Sequence, residues 1–322
     1  MGGLHFQRVA MVAVHQNIYE CLVADAGLPF ETRARLRAAA APVAGAWCTI
    51  ESVRDSNSYQ EGNALDDFAF AVAVRKRLGH PHDIVTEDSR CTCQYYNATA
   101  LPTVPGVLRN TNLNVSRSWH QGAYHFEGCA CNQGRNIRHH ALNVHIARGM
   151  RCLGCSARVT EVPLCDQPRV RGDIFGRDPL GGTFVGDGTV WSSMRLEDLR
   201  AVARGTLDVA AKAEALKVAA KEKYCKTRKW SFLAFAFNAF GGMGAAAYKW
   251  FSERFEKKRD AAVRAGEPEW AVINERKKLY EDISASIQRH NATMLTLNCV
   301  NPGGQPAMPP APIDLDAQHG DH

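Results

Sequence analysis

Asp173 and Asp187 are the residues whose type and spacing most readily do chemistry. Asp173 ends Arg171-Gly172-Asp173 in a short extended candidate. Asp187 follows 14 residues later, beyond a Gly181-Gly182 pair that suits a hairpin turn. If the two strands pair, their carboxylates converge. Convergent carboxylates with open positions bind Mg2+ or Mn2+, which keeps several waters and takes phosphate oxygens. Lys217, Lys221 and Lys223 follow on a helical stretch, and Lys217 and Lys221, four residues apart, share a face. One such lysine can hold an attacking water or offset charge developing on phosphate. On spacing alone, two aspartates beside glycines are more often turn formers, so their neighbours decide.

A second constellation is made of cysteine and histidine. Seven of the 11 cysteines fall between Cys91 and Cys165, beside His125, His139, His140 and His145. Zinc takes four thiolate or imidazole ligands in a tetrahedron. Cys91, Cys93, His125 and Cys129 supply such a set; Cys129, Cys131, Cys152 and Cys155 supply a rival one, whose last two members form a C-x-x-C. The plain alternative is free, buried thiols, the reading given to Cys21, Cys48, Cys225 and Cys299. An odd cysteine count, and a first stretch without the charged-then-apolar-then-small layout of a secretory leader, argue against a disulfide framework.

These residues need elements to position them. Of the 322 residues, 45% are hydrophobic and 22% charged, a globular balance that excludes collagen-like and wholly disordered chains. Residues 1–80 read as helical, with helices over Phe30–Ala41 and Ala64–Leu78 and a short extended link at Ala46–Ile50. Residues 81–150 are rich in Asn, Thr, Cys and His and have little apolar core, which a metal staple would replace; a helix over Arg135–Arg148 is their exit. Residues 151–244 alternate: strands over Arg158–Val162, Arg171–Phe175 and Thr183–Trp191, a helix over Leu207–Lys226, then a strand over Ser231–Phe237. Two helices, about 245–266 and 270–297, complete the segment 245–300, and residues 301–322 form a proline-rich tail. The fold class expected is therefore α+β. The uncharged run Trp230–Tyr248 is broken by Gly241, Gly242 and Gly244 and is not read as a membrane span. The net charge of +6 matches the excess within Thr206–Asp260, where 12 Lys and Arg face 6 Asp and Glu. Such clustering favours phosphate, although a solvated helix face has the same composition.

The order of short motifs resembles the C-terminal part of non-LTR retrotransposon proteins that carry a restriction-like endonuclease. Gly2-Gly3-Leu4 looks like the GGLG after the polymerase core, and Ala44-Gly45-Ala46-Trp47 like the GAW segment. Phe70, Ala73, Val74 and Arg75-Lys76-Arg77-Leu78-Gly79 resemble the F-x2-AV-R-x-RLG helix. Cys91, Cys93, His125 and Cys129 match C-x-C…H-x3-C, and Arg138-His139-His140-Ala141-Leu142 resembles RHN-x-L. Asp173 and Asp187 fall on the two nuclease aspartates, and Lys221-Glu222-Lys223-Tyr224 looks like K-x-KY. Phe240-Gly241-Gly242-Met243-Gly244 resembles FGGWG, and Gln288-Arg289-His290-Asn291-Ala292 resembles QRGNA.

The resemblance implies a PD-(D/E)XK-like nuclease core that nicks DNA with Mg2+ or Mn2+ to prime reverse transcription. It implies structural zinc on Cys91, Cys93, His125 and Cys129, and catalysis by Asp173, Asp187 and Lys221, the last favoured because it precedes Tyr224 by three. Nucleic-acid contacts are expected from Arg138, His139, Lys217, Lys223, Lys226, Arg228 and Lys229. DNA and template RNA are the expected partners, with no membrane, a nuclear location, and a polymerase portion on a longer parent protein. Gly172 departs from the proline usual before the first aspartate, and the segment around Cys129 is richer in cysteine than the pattern. The competing expectation is a zinc-stapled nucleic-acid-binding remnant with an inactive nuclease site.

Overall fold

The computed structural model of the chain describes residues 16–49, 65–80, 82, 90–91, 134–167, 170–192 and 198–300. Cys93, His125, Cys129 and Cys131 lie outside these residues, so both proposed zinc sets do in part. Cys91 falls in a two-residue antiparallel pairing of Arg90–Cys91 with Cys299–Val300.

The protein is mixed α+β. Four strands form one sheet: β1 (Ser156–Pro163), β2 (Arg171–Arg177), β3 (Thr183–Trp191) and β4 (Ser231–Asn238), in that spatial order. The first three make an antiparallel meander, and β4 lies parallel to β3. The hairpin between β2 and β3 turns at Asp178, whose Oδ1 accepts from the N–H groups of Leu180 and Gly182, both at 2.9 Å. This side-chain turn fixes the register in which Ile174 faces Gly186. A parallel neighbour requires a crossover. It is supplied by α4 (Leu199–Arg204) and α5 (Val209–Thr227). α5 starts two residues later than the sequence suggested, because Asp208 caps the N–H groups of Ala210 and Ala211 at 2.9 and 3.2 Å. The short α4 was not foreseen.

Both faces of the sheet are covered, which is why β3 reads as continuous burial rather than alternation. On one face, α3 (Gly134–Cys152), α6 (Ala245–Arg264) and α7 (Glu269–Asn298) pack Leu142, Ile146, Met150, Phe251 and Ile283 against Ile174, Phe184, Phe235 and Phe237. On the other face α5 brings Ala210, Ala213 and Cys225 to Ala236 and Val185. Each fully buried Phe, Leu or Ile contributes about 1.5–3 kcal/mol. This core offsets the cost of holding charged groups on the two inner strands. α3 thus belongs to the sheet's packing, although the sequence placed its stretch at the exit of the Cys/His-rich part.

The N-terminal helices dock on the same body. α1 (Phe30–Ala39) packs Ala34 and Ala38 on Leu199, Val202 and Phe240. Ala46–Thr49 is a short 3-10 helix, not the extended link expected, because Ala46 N–H and Cys48 N–H close turns onto Val43 and Gly45 while Trp47 buries against Ala73 and Ala285. From α2 (Asp67–Leu78), Lys76 is almost fully buried and donates to the Ala239 carbonyl at 2.7 Å. Asn291 and Gln288 of α7 donate to the same oxygen at 2.7 and 3.4 Å, and Arg138 of α3 donates to Asn291 Oδ1 at 2.6 Å. Asn238 closes the adjoining turn, accepting from Phe240 and Gly242 N–H groups, both at 2.9 Å. Side chains of two helices distant in sequence, α2 and α7, therefore meet at one carbonyl, and Arg138 of α3 is bonded to one of them.

Candidate metal and phosphate site

One residue past the last paired position, Ile174 with Gly186, β2 and β3 carry Asp173 and Asp187. Close approach of the strands depends on Gly172, where an added Cβ would fall 1.9 Å from Cγ1 of the buried Val185. Gly172 is thus a packing requirement of this β2–β3 pair. Gly188 has a similar role toward α3: its Cβ would fall 2.5 Å from Asn143 Oδ1, which instead accepts the Gly188 N–H at 3.0 Å.

Asp187 is wholly buried and Asp173 retains 19% side-chain exposure. Lys217 Nζ donates to Asp187 Oδ1 at 2.6 Å, and Lys221 Nζ donates to Asp187 Oδ2 and to the Arg171 carbonyl. The two lysines are one turn apart on α5, so both carboxylate oxygens are reached from one helix face. From the first turns of α3, His139 Nε2 lies 3.3 Å from Asp173 Oδ2 and 3.9 Å from Asp187 Oδ1. Asn143 Nδ2 lies 3.3 Å from the same ring nitrogen.

The two carboxyls titrate in opposite directions. Burial and the neighbouring Asp187 push Asp173 above the usual carboxylate range, against the pull of His139. Burial alone would raise Asp187 as well, but His139, Lys217 and Lys221 outweigh it and hold Asp187 well below the usual range. Hydrogen bonds to Asp173 and then Asp187 push His139 up to about 9, although burial opposes the shift. The cations around Asp187 therefore favour its ionised form, while burial and the Asp187 charge disfavour that of Asp173.

The donor chemistry fits a divalent ion. An imidazole nitrogen and two carboxylate oxygens, on His139, Asp173 and Asp187, all lie within 4.8 Å of one another. Beside them runs a cleft of about 290 Å3 lined by Arg135, Asn136, Arg138, His139, Thr189, Val190 and Lys217. Positive and hydrogen-bonding groups dominate that lining, as phosphate requires.

The expected site residues thus divide. Asp173, Asp187, Lys217, Lys221 and His139 come together. Arg138 reaches the cleft but is itself buried and bonded to Asn291. Lys223 stacks over Tyr224 at 4.8 Å, Lys226 pairs with Glu222 at 2.9 Å, and Arg228 lies 5.1 Å above Trp230 while donating to the Pro163 carbonyl. These three and Lys229 are exposed along the end of α5. Sequence reading missed Asn143, Arg135, Asn136 and Thr189. The four-residue spacing of His139 and Asn143 was the available signal for the first. No helix among the described residues is long and apolar enough to cross a membrane. No family model, curated protein or solved structure matches the chain.

Proposed function

We propose that the chain carries a PD-(D/E)XK-like, metal-dependent DNA endonuclease site within a retrotransposon-derived protein. The observation that carries this reading is the meeting of Asp173 and Asp187, from adjacent strands, with Lys217 and Lys221 of the crossover helix. Asp173 and Asp187 would hold Mg2+ or Mn2+, which when bound supplies an acidified water and a Lewis acid for the phosphoryl oxygen. The protein's own groups do the remaining work. Asp187 fixes the two ammoniums. Lys217, facing the cleft, neutralises charge on a phosphate oxygen as it grows. Arg135 adds a cation along the same cleft, and the basic end of α5 holds the DNA backbone without reading its sequence. Nuclear action on DNA beside a template RNA, and a structural zinc on Cys91, Cys93, His125 and Cys129, complete the proposal.

A second reading is favoured by one observation: Asp187 has no exposed surface and both its oxygens already bind lysine. A nucleic-acid-binding remnant whose carboxylates are permanently neutralised would look the same. Supercoiled plasmid with Mn2+ separates the two. Nicking by the wild-type chain that is lost in Asp173→Ala and Asp187→Ala supports the endonuclease. DNA binding without nicking by any version supports the remnant.

A further inference from the structure

We propose that His139 is the third ligand of the cation held by Asp173 and Asp187, and that its imidazole makes the site select Mn2+ over Mg2+. The inference rests on the endonuclease reading above and adds to it a nitrogen ligand and a metal preference.

The geometry comes first. Ligands bound at about 2.1 Å in an octahedron lie about 3 Å apart when adjacent and about 4.2 Å apart when opposite. His139 Nε2 stands 3.3 Å from Asp173 Oδ2 and 3.9 Å from Asp187 Oδ1, within that span. All three ligand atoms lie within 4.8 Å of one another, and an ion among them shares or displaces the Lys217 contact to Asp187 Oδ1 at 2.6 Å.

Nε2 of His139 is contested by its neighbours. Two carboxylates face this nitrogen and would be satisfied by positive charge there. Asn143 also faces it, and the orientation of that amide is not free. Asn143 Oδ1 is committed to the Gly188 N–H at 3.0 Å, so the NH2 group is turned to the ring at 3.3 Å. An N–H donor aimed at Nε2 calls for a lone pair on that nitrogen. A hydrogen on Nε2 suits the carboxylates and opposes Asn143; a bare lone pair does the reverse. A cation among the three side chains resolves the conflict, because the carboxylates receive their charge and Nε2 keeps its lone pair for coordination. Asn143 then acts as a positioning residue for the ligand.

The donor set decides the metal. Mg2+ prefers oxygen and parts reluctantly with its waters. Imidazole shifts preference toward first-row transition ions, and among these Mn2+ keeps the octahedral positions needed for a water and a phosphate oxygen.

The test is pulsed electron paramagnetic resonance of Mn2+ bound to the full chain, read without any cleavage assay. The wild type should show nitrogen coupling from one imidazole, and displacement of Mn2+ should require more than about a tenfold excess of Mg2+. His139→Asp, which substitutes an oxygen ligand, should still bind Mn2+, lose the nitrogen coupling and give up most of the preference. Asn143→Ala should keep the coupling but weaken Mn2+ binding by about tenfold. Bound Mn2+ without nitrogen coupling in the wild type, abolished by Asp187→Asn, would overturn the role of His139 and leave the two-aspartate site standing. Coupling that persists in His139→Asp would assign it to another histidine and also overturn the proposal. A wild-type chain that binds no Mn2+ would remove this inference together with the endonuclease reading.

Discussion

Lys217 and Lys221 bind opposite oxygens of one carboxylate, and their surroundings give them different work. Lys221 also donates to the Arg171 carbonyl and is only 15% exposed, so it ties α5 to the start of β2. Lys217 is 27% exposed and lines the cleft. Lys221→Ala should therefore cost about 1.5–3 kcal/mol of stability, in the range for hydrogen bonds to charged groups. Lys217→Ala loses one bond to the buried Asp187 rather than two, so it should lower the melting temperature less than Lys221→Ala while lowering nicking by about 100-fold, the scale of a lost charge-stabilising donor. Thermal melting beside single-turnover nicking checks both, and equal melting temperatures for the two variants would refute the division. The sequence pointed to this pair through their four-residue spacing. It favoured Lys221 on motif position and gave no means of telling which lysine faces the cleft, because that depends on where β2 begins. His139 was expected to touch nucleic acid. Its approach to the aspartates depends on how α3 crosses the sheet, which local spacing does not encode.

At the scale of elements, strands and helices were largely legible because their periodicities were clean. The helix 245–264 and the strand Thr183–Trp191 fall close to where hydrophobic pattern and glycine placed them. The 3-10 turn at Ala46–Thr49 was not, since Trp47 is drawn inward by tertiary contacts that local propensity does not contain. Gly172 gives a direct test of the β2–β3 approach. Gly172→Ala should destabilise the protein by about 1–3 kcal/mol, the usual range for overpacking. Adding Val185→Ala, which removes the methyl standing 1.9 Å from the new Cβ, should recover part of that loss. Losses that simply add in the double variant would contradict the contact. The α3–α7 interface makes a second prediction, about acid. Burial first, then Arg148, Arg289 and His290, pushes His145 down to about 4 from an ordinary 6.5, and burial lowers His290 too. A depressed folded value means that the neutral imidazole contributes stability above pH 6.5 and loses it as pH falls through about 4. Thermal stability should decline across that window, and His145→Gln should flatten the decline. An unchanged slope in the variant would rule out His145 as its source.

Across the whole molecule, segments read separately in the sequence form one connected body around the Ala239 carbonyl, where Lys76, Gln288 and Asn291 meet. Each contributing motif was visible by itself. Their convergence was not, because three donors on one oxygen come from positions up to 163 residues away. The charge distribution follows the same architecture. Lys223, Lys226, Arg228 and Lys229 are exposed towards and just past the end of α5, where the proposal places the DNA backbone. Binding of this kind should weaken steeply with salt, as counterion release requires. The proposed endonuclease hydrolyses a phosphodiester at the Asp173–Asp187 site: water adds to phosphorus, the bond to the 3′ oxygen breaks, and the departing oxygen takes a proton. Such a nick ends in a 3′ hydroxyl fit to prime synthesis. The most direct measurement is extension by a DNA polymerase, with labelled nucleotide, of plasmid treated with the chain and Mn2+. Label is expected at nicks made by the wild type and none after Asp187→Asn. Nicks that persist in Asp187→Asn, or that end in a 3′ phosphate and resist extension, would contradict it.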